Sequence, residues 1–209
     1  MVTIADRALQ SALDRLYFPG VLIGHRVISA GDEHALMPEE ASAFAASIAK
    51  VQRASGAARI AARELLDRMG YPPCALPKAA SGAPIWPAGI VGSLAHDSRL
   101  AVAAVASRRD VRALGIDVEP AESLPADLLD LVATPEERLR LGDEPYAGRL
   151  LFVAKEAVYK AVHPLDHTFL DHQDIQIDFA SGKGAVRNGR VVELRFCIAT
   201  HLVALAFLA

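Results

Sequence analysis

The stretch GIDVEP, residues 115–120, ends an apolar run in two carboxylates with one residue between them. In a strand, side chains alternate between faces, so positions two apart point the same way. Asp117 and Glu119 therefore stand side by side, where like charges repel and some cation has to answer them. A second charged cluster lies in FVAKEAVYKA, residues 152–161. Glu156 and Lys160 are four apart there, as are Lys155 and Tyr159, and each pair shares a helical stripe. Alone, the first pair reads as a surface ion pair worth a few tenths of a kcal/mol. Set beside the strand acids, Glu156 becomes a third carboxylate and completes an all-oxygen set suited to a hard divalent cation. Mg²⁺ takes few protein carboxylates and fills its octahedron with water and phosphate oxygens. Lys155 and Lys160 can then neutralise phosphate charge. A zinc hydrolase would want His or Cys ligands instead.

These residues need elements to hold them. Residues 21–29, VLIGHRVIS, read as a strand from their β-branched content. A helical stretch follows from about Pro38, weakened around Ser55 and Gly56, and stops at MGYPP, with Gly70 as cap. Residues 78–89 are punctuated by Gly and Pro and read as loop. IVGSLAH, 90–96, and LAVAAVAS, 100–107, are buried strands joined by a turn at Asp97-Ser98. After the charged break SRRD comes the strand VRALGIDVE. Thr134-Pro135-Glu136-Glu137 is a helix start, with a hydroxyl cap, Pro first and Glu third. DEPYAG interrupts at 143–148. RLLFVAKEAVYKAV, 149–162, is a helix expected to end before Pro164. DIQIDF and the C-terminal apolar stretch are strands. Each half runs strand, helix, strand, strand, and the halves end alike, in LAVAAVAS and LVALAFLA. The expected fold class is α+β: two pseudo-twofold-related α/β halves, 1–108 and 109–209, with the active site in the cleft between them.

At 209 residues and 52% hydrophobic the chain can bury a sizeable core and is not a disordered polymer. A net charge of −3 gives no bulk basic field for nucleic acid. Cys74 and Cys197 lie outside any metal-type spacing and suit a reducing compartment. MVTIADRALQ lacks the apolar region of a leader peptide. The apolar C-terminal run, 196–209, falls short of the roughly 18 residues that span a bilayer. No membrane and a cytoplasmic location are the expectations.

GIDVEP followed by FVAKEAVYKA resembles the two signature motifs of the 4'-phosphopantetheinyl transferases, of the Sfp type, closest to the enterobactin synthetase component D group. PKAASGAPIWPAGIVGSLAH resembles that group's loop and strand upstream, with its Gly-x-Pro, Trp-Pro and Gly-Ser-x-x-His in order. The likeness runs from about Phe44 to the end of the Lys155 helix. It implies that Asp117, Glu119 and Glu156 hold Mg²⁺, and that Lys160 and Lys155 face the diphosphate of coenzyme A. It implies that His96 contacts a coenzyme A phosphate and Lys78 lies near the adenine. Arg59 would hold the 3'-phosphate, helped by Lys50 and Arg53. Asp117, Glu156 and Lys160 would carry catalysis: transfer of the phosphopantetheine arm to a serine of an acyl- or peptidyl-carrier protein, releasing 3',5'-ADP. Glu156, directly or through a water, would take the serine proton. A monomer is expected, two halves in one chain building the cleft.

The chain departs from the family pattern at Ala95, where a Ser or Thr is usual, and at Asp97, a carboxylate beside the phosphate-binding histidine. SGAP also lacks the charged residues that often flank its glycine. These departures motivate a second reading, a weak or inactive relative that binds coenzyme A or a carrier protein. A third is a Mg²⁺-dependent diphosphate hydrolase. The remaining residues read more plainly. Arg63 and Arg68 read as a solvated helix face, and Trp86 as a packing anchor under its loop. His163, His167 and His172 are denied a common metal by Pro164. His25, His34 and His201 carry no assigned role.

Overall fold

The computed structural model describes residues 7–142 and 144–209. Most of the segment read for a leader, residues 1–6, and the first residue of the interruption, Asp143, lie outside the described residues. In the first half, strands β1 (Val21–Val27), β2 (Ile90–His96) and β3 (Leu100–Ser107) form an antiparallel sheet in the order β1-β3-β2. In the second, β4 (Ala113–Pro120), β5 (Ile175–Asp178), β6 (Lys183–Val186), β7 (Val191–Ile198) and β8 (His201–Leu208) form a sheet in the order β4-β8-β7-β6-β5.

Each half thus opens on a strand, crosses by a 20-residue helix, and returns so that its last strand lies between the first and the penultimate one. The helices are α3 (Ala49–Arg68) and α6 (Ala147–Asp166). The mixed α/β class and the two related halves are as the sequence implied. The like endings LAVAAVAS and LVALAFLA are β3 and β8, each an interior strand paired on both edges and buried on both faces. Their alternate residues divide between two cores. Val102, Ala104 and Ala106, with Val203, Leu205 and Phe207, enter one core shared by both halves and the short N-terminal helix α1 (Arg7–Leu13). Ala103 and Val105 face α3, whereas Leu202, Ala204 and Ala206 face α6. A strand buried on both sides has no polar face to show, which is why both read as near-continuous apolar runs.

Two expectations about helices are overturned. The stretch from Pro38 breaks at residues 45–48, after the single turn α2 (Pro38–Ala41) and a 3-10 turn, and not at Ser55-Gly56. Gly56 lies inside unbroken α3. A Cβ there would come within 1.9 Å of the Asp32 carbonyl oxygen, so the glycine marks close packing and not weakness. The second helix does not end before Pro164 but contains it. Proline's missing N–H costs one bond, to the Lys160 carbonyl, in the final turn. His167, in the left-handed conformation, then closes the helix by donating its N–H to the His163 carbonyl. Between the sheets' helices lie α4 (Ala126–Val132) and α5 (Pro135–Arg140). The latter starts at the expected capping box of Thr134 and Glu137.

Candidate active site

Strands β2 and β4, the edges of their respective sheets, lie against each other, and the cleft runs along that joint. Helix α6 is pressed onto β4 at Gly115, where a Cβ would meet the Ala157 carbonyl oxygen at 2.0 Å. That approach brings Lys160 to Asp117, two residues further along the same face of β4. Lys160 Nζ donates to Asp117 Oδ1 at 2.6 Å. Burial pushes the Asp117 carboxyl up to about 6. The Lys160 charge opposes that rise, and the nearby charges of Glu156 and Glu119 add to it.

The cation demanded by the paired carboxylates is thus supplied in part by the chain itself, from two residues of α6. Arg149 Nη1 donates to Glu119 Oε2 at 2.9 Å, while its Nε and Nη2 hold the carbonyls of Glu122 and Ser123. Glu156 does not pair with Lys160 four residues on. Its Oε1 lies 2.9 Å from His172 Nε2, and that contact, with the Lys160 charge, holds its carboxyl below the usual range. Neither Arg149 nor His172 was singled out for the site from sequence. Arg149, Glu156 and Lys160 stand at i, i+7 and i+11, one face of one helix, and that periodicity was the available signal. His172 had none, because it reaches α6 from the loop before β5.

Among the described residues, no three His, Cys, Asp or Glu side chains converge to hold a metal as they stand. The donor chemistry of Asp117, Glu119 and Glu156 nonetheless fits a hard divalent cation. It is oxygen only and partly buried, and the Glu156 and Glu119 charges add to the burial that raises the Asp117 carboxyl.

A cavity of about 630 Å³ opens beside Glu156, Lys160 and Tyr159, under the loop that carries Lys78 and Trp86. Arg108, Arg112 and His163, which sequence reading did not place there, also line it. Trp86 packs against the core and over Gly92, as an anchor under its loop, and also lines this cavity. Lys78 lines it too, with Nζ 5.6 Å from the Phe44 ring centre. His96 ends β2 with its ring open to solvent. Partial desolvation and the Lys160 charge hold it below the usual histidine range.

Several cations that the resemblance placed on the nucleotide have protein partners in this structure. Lys155 is fully buried and faces away from the cleft. Its Nζ donates to Glu137 Oε2 at 2.6 Å, to the Val132 carbonyl at 2.8 Å and to the His172 carbonyl at 2.9 Å. Adjacent residues on a helix are about 100° apart, so a neighbour of Glu156 need not share its cleft. Arg59 is 4% exposed and donates from Nε to the Leu76 carbonyl and from Nη1 to the Ser55 carbonyl, above the Phe44 ring. Arg63, expected on a solvated face, donates to Glu40 Oε1 at 2.7 Å and to the Ala35 carbonyl. Arg53 grips Glu33 with Nε and Nη2. Lys50 is exposed in the first turn of α3.

Residues 39–106 match the family described as the 4'-phosphopantetheinyl transferase N-terminal domain, and residues 113–206 match the 4'-phosphopantetheinyl transferase superfamily. Over 155 residues the chain is 43% identical to the 4'-phosphopantetheinyl transferase Npt of Nocardia iowensis, covering 73% of this chain and 70% of that protein. The chain belongs to the 4'-phosphopantetheinyl transferase superfamily. It is accordingly an enzyme of that class. It is also 42% identical over 147 residues to the 4'-phosphopantetheinyl transferase PptT of Mycobacterium tuberculosis, across 68% of this chain and 65% of that one. Enterobactin synthase component D of Escherichia coli is 38% identical over 126 residues, 57% of this chain and 59% of its own. The solved holo-[acyl-carrier-protein] synthase of Thermotoga maritima covers 47% of this chain and 63% of its own. Its TM-score is 0.37 at 18% identity, a likeness too slight to bear on function.

Proposed function

We propose that this transferase moves the 4'-phosphopantetheinyl group from coenzyme A to a serine hydroxyl of an acyl- or peptidyl-carrier protein, with Mg²⁺ as cofactor and 3',5'-ADP as leaving group. The observation that carries the reading is one arrangement. Lys160 and Glu156 border a cavity of about 630 Å³, with Lys160 drawn onto the strand acid Asp117. Asp117, Glu119 and Glu156 would hold the metal, which when bound supplies positive charge to the diphosphate. Lys160 exchanges Asp117 for phosphate oxygens and neutralises charge near the breaking bond. Glu156, its Oε1 fixed by His172, offers Oε2 to the serine proton. The serine oxygen bonds the β-phosphorus as the bond from that phosphorus to the bridging oxygen breaks, and both electrons leave with 3',5'-ADP. Positioning and charge neutralisation dominate such transfers.

The division of labour we propose follows the halves. Residues 1–108, with Lys78 and His96, serve the nucleotide, and 109–209 carry the acids and the Lys160 helix. A cytoplasmic monomer completes the reading, supported by the cleft being built within one chain.

Intact-mass measurement of an apo carrier protein incubated with the chain, coenzyme A and Mg²⁺ tests this. One added phosphopantetheinyl group, lost with EDTA and in Asp117→Ala, is the expected result. Coenzyme A cleavage without any carrier would favour the diphosphate hydrolase and overturn it. The binding-only reading is favoured by buried Ala95 and by the commitment of Arg53 and Arg59 to other partners. Glu156→Gln separates it: the exchange abolishes product from a transferase and changes nothing in a binder.

A further inference from the structure

The β2–β3 turn sets a carboxylate, Asp97, directly after His96, at the end of the strand whose Ile90–Leu94 stretch lines the cavity. A negative charge there opposes a polyanionic ligand. The carboxylate is, however, held. Its Oδ1 accepts the Arg99 N–H at 2.6 Å and the Leu100 N–H at 2.7 Å, closing the turn. Its Oδ2 lies 3.0 Å from His201 Nε2, with both side chains buried. His201 comes from the other half of the molecule. It opens β8 in register with Pro120, one residue past Glu119 on β4. The second ring nitrogen, Nδ1, lies 3.1 Å from Thr200 Oγ1. Burial would raise the Asp97 carboxyl, yet His201 and the two turn amides hold it below its usual range.

The two turns joined in this way are equivalent in the two halves, each linking the last two strands of its sheet. Their contact fixes the end of β2, and so His96, relative to the strand that carries Asp117 and Glu119. Asp97 Oδ2 faces His201, while the Lys160 charge is felt at His96.

We propose that His201 is a positioning residue for coenzyme A: it draws Asp97 out of the cleft, neutralises it, and ties the His96 turn to the acid-bearing half. The proposal rests on the transferase reading above. A pair serving stability alone would lower the melting temperature when broken and leave ligand affinity untouched. A positioning pair also weakens coenzyme A, and the weakening disappears once the Asp97 charge is removed.

The test is calorimetric titration of coenzyme A with Mg²⁺, together with KM and kcat for coenzyme A. It compares the unaltered chain with His201→Leu and with His201→Leu/Asp97→Asn. One uncompensated charge beside the phosphates should weaken binding and raise KM about tenfold in His201→Leu. kcat should stay within about twofold, and the double variant should return most of the affinity. If His201→Leu does not fold, His201→Asn, polar but too short to reach Asp97, is read against its own Asp97→Asn double in the same way. Unchanged coenzyme A affinity in the His201 variant, or an equal loss in the double variant, overturns the proposal alone. Failure of the unaltered chain to bind coenzyme A overturns the transferase reading and this inference with it.

Discussion

Lys155 and Lys160 sit on one helix with opposite surroundings, and their substitutions should part accordingly. Lys155 is enclosed with Glu137, whose Oε1 also accepts the Ile177 N–H and whose Oε2 takes the Thr134 N–H. Lys155→Met strands that carboxylate in the interior and should cost about 3–5 kcal/mol of stability by denaturant unfolding, as for other broken buried pairs. Coenzyme A affinity of the folded fraction should not change. A stable variant that bound coenzyme A poorly would return Lys155 to the diphosphate. Lys160→Ala should show the reverse. Asp117, already raised to about 6, can take a proton once its partner goes, so the fold loses little. Transfer should drop about 100-fold or more, the scale of losing one aligned charge donor. A steady-state assay beside a melting curve separates the two lysines.

At the scale of elements, the site depends on how closely α6 lies on β4. Gly115→Ala puts a methyl group into the Ala157 carbonyl and forces helix and strand apart. Overpacking of this kind costs about 1–3 kcal/mol or more, and it should reduce transfer along with melting temperature, because Lys160 moves away from Asp117. The C-terminal end of the same helix is tied by Asp166. The Thr168 N–H and then Arg190 lower its carboxyl to about 2, from an ordinary 3.8. A lowered carboxylate contributes stability that is present above about pH 4 and lost as pH falls from there through about 2. Asp166→Asn should flatten that acid limb when melting temperature is followed between pH 5 and pH 2.

Taken whole, the molecule has one core that neither half owns. Leu9, Leu13, Val91, Leu100 and Val102 meet Leu114, Ile116, Val203 and Phe207 in it. Each sheet therefore needs the other to cover its second face. Thermal unfolding should show one transition, with calorimetric and van't Hoff enthalpies equal. Two resolved transitions would mean that the halves fold independently.

Much of this was legible in the sequence where a residue's neighbours in space are its neighbours in the chain. β2 and β3 declare themselves by apolar runs bounded by a turn, and Thr134 to Glu137 is a self-contained cap. Asp117 with Glu119, and Glu156 with Lys160, follow from strand and helix periods. The short elements α1, α4 and β6 carry too little periodicity to be read, β6 being four residues with Gly184 inside it. Periodicity states which side chains share a face, not what that face meets. The partners of Lys155 lie 17 to 23 residues away, Asp117 is 43 from Lys160, and His201 comes from the far half to hold Asp97. The sequence by itself determined the strand acids, the helix that answers them and the mixed run of strands and helices in each half, because local spacing dictates these. Only the tertiary structure decided which lysine enters the cleft and which cation meets each carboxylate, because burial and long-range packing choose among partners that spacing leaves equal.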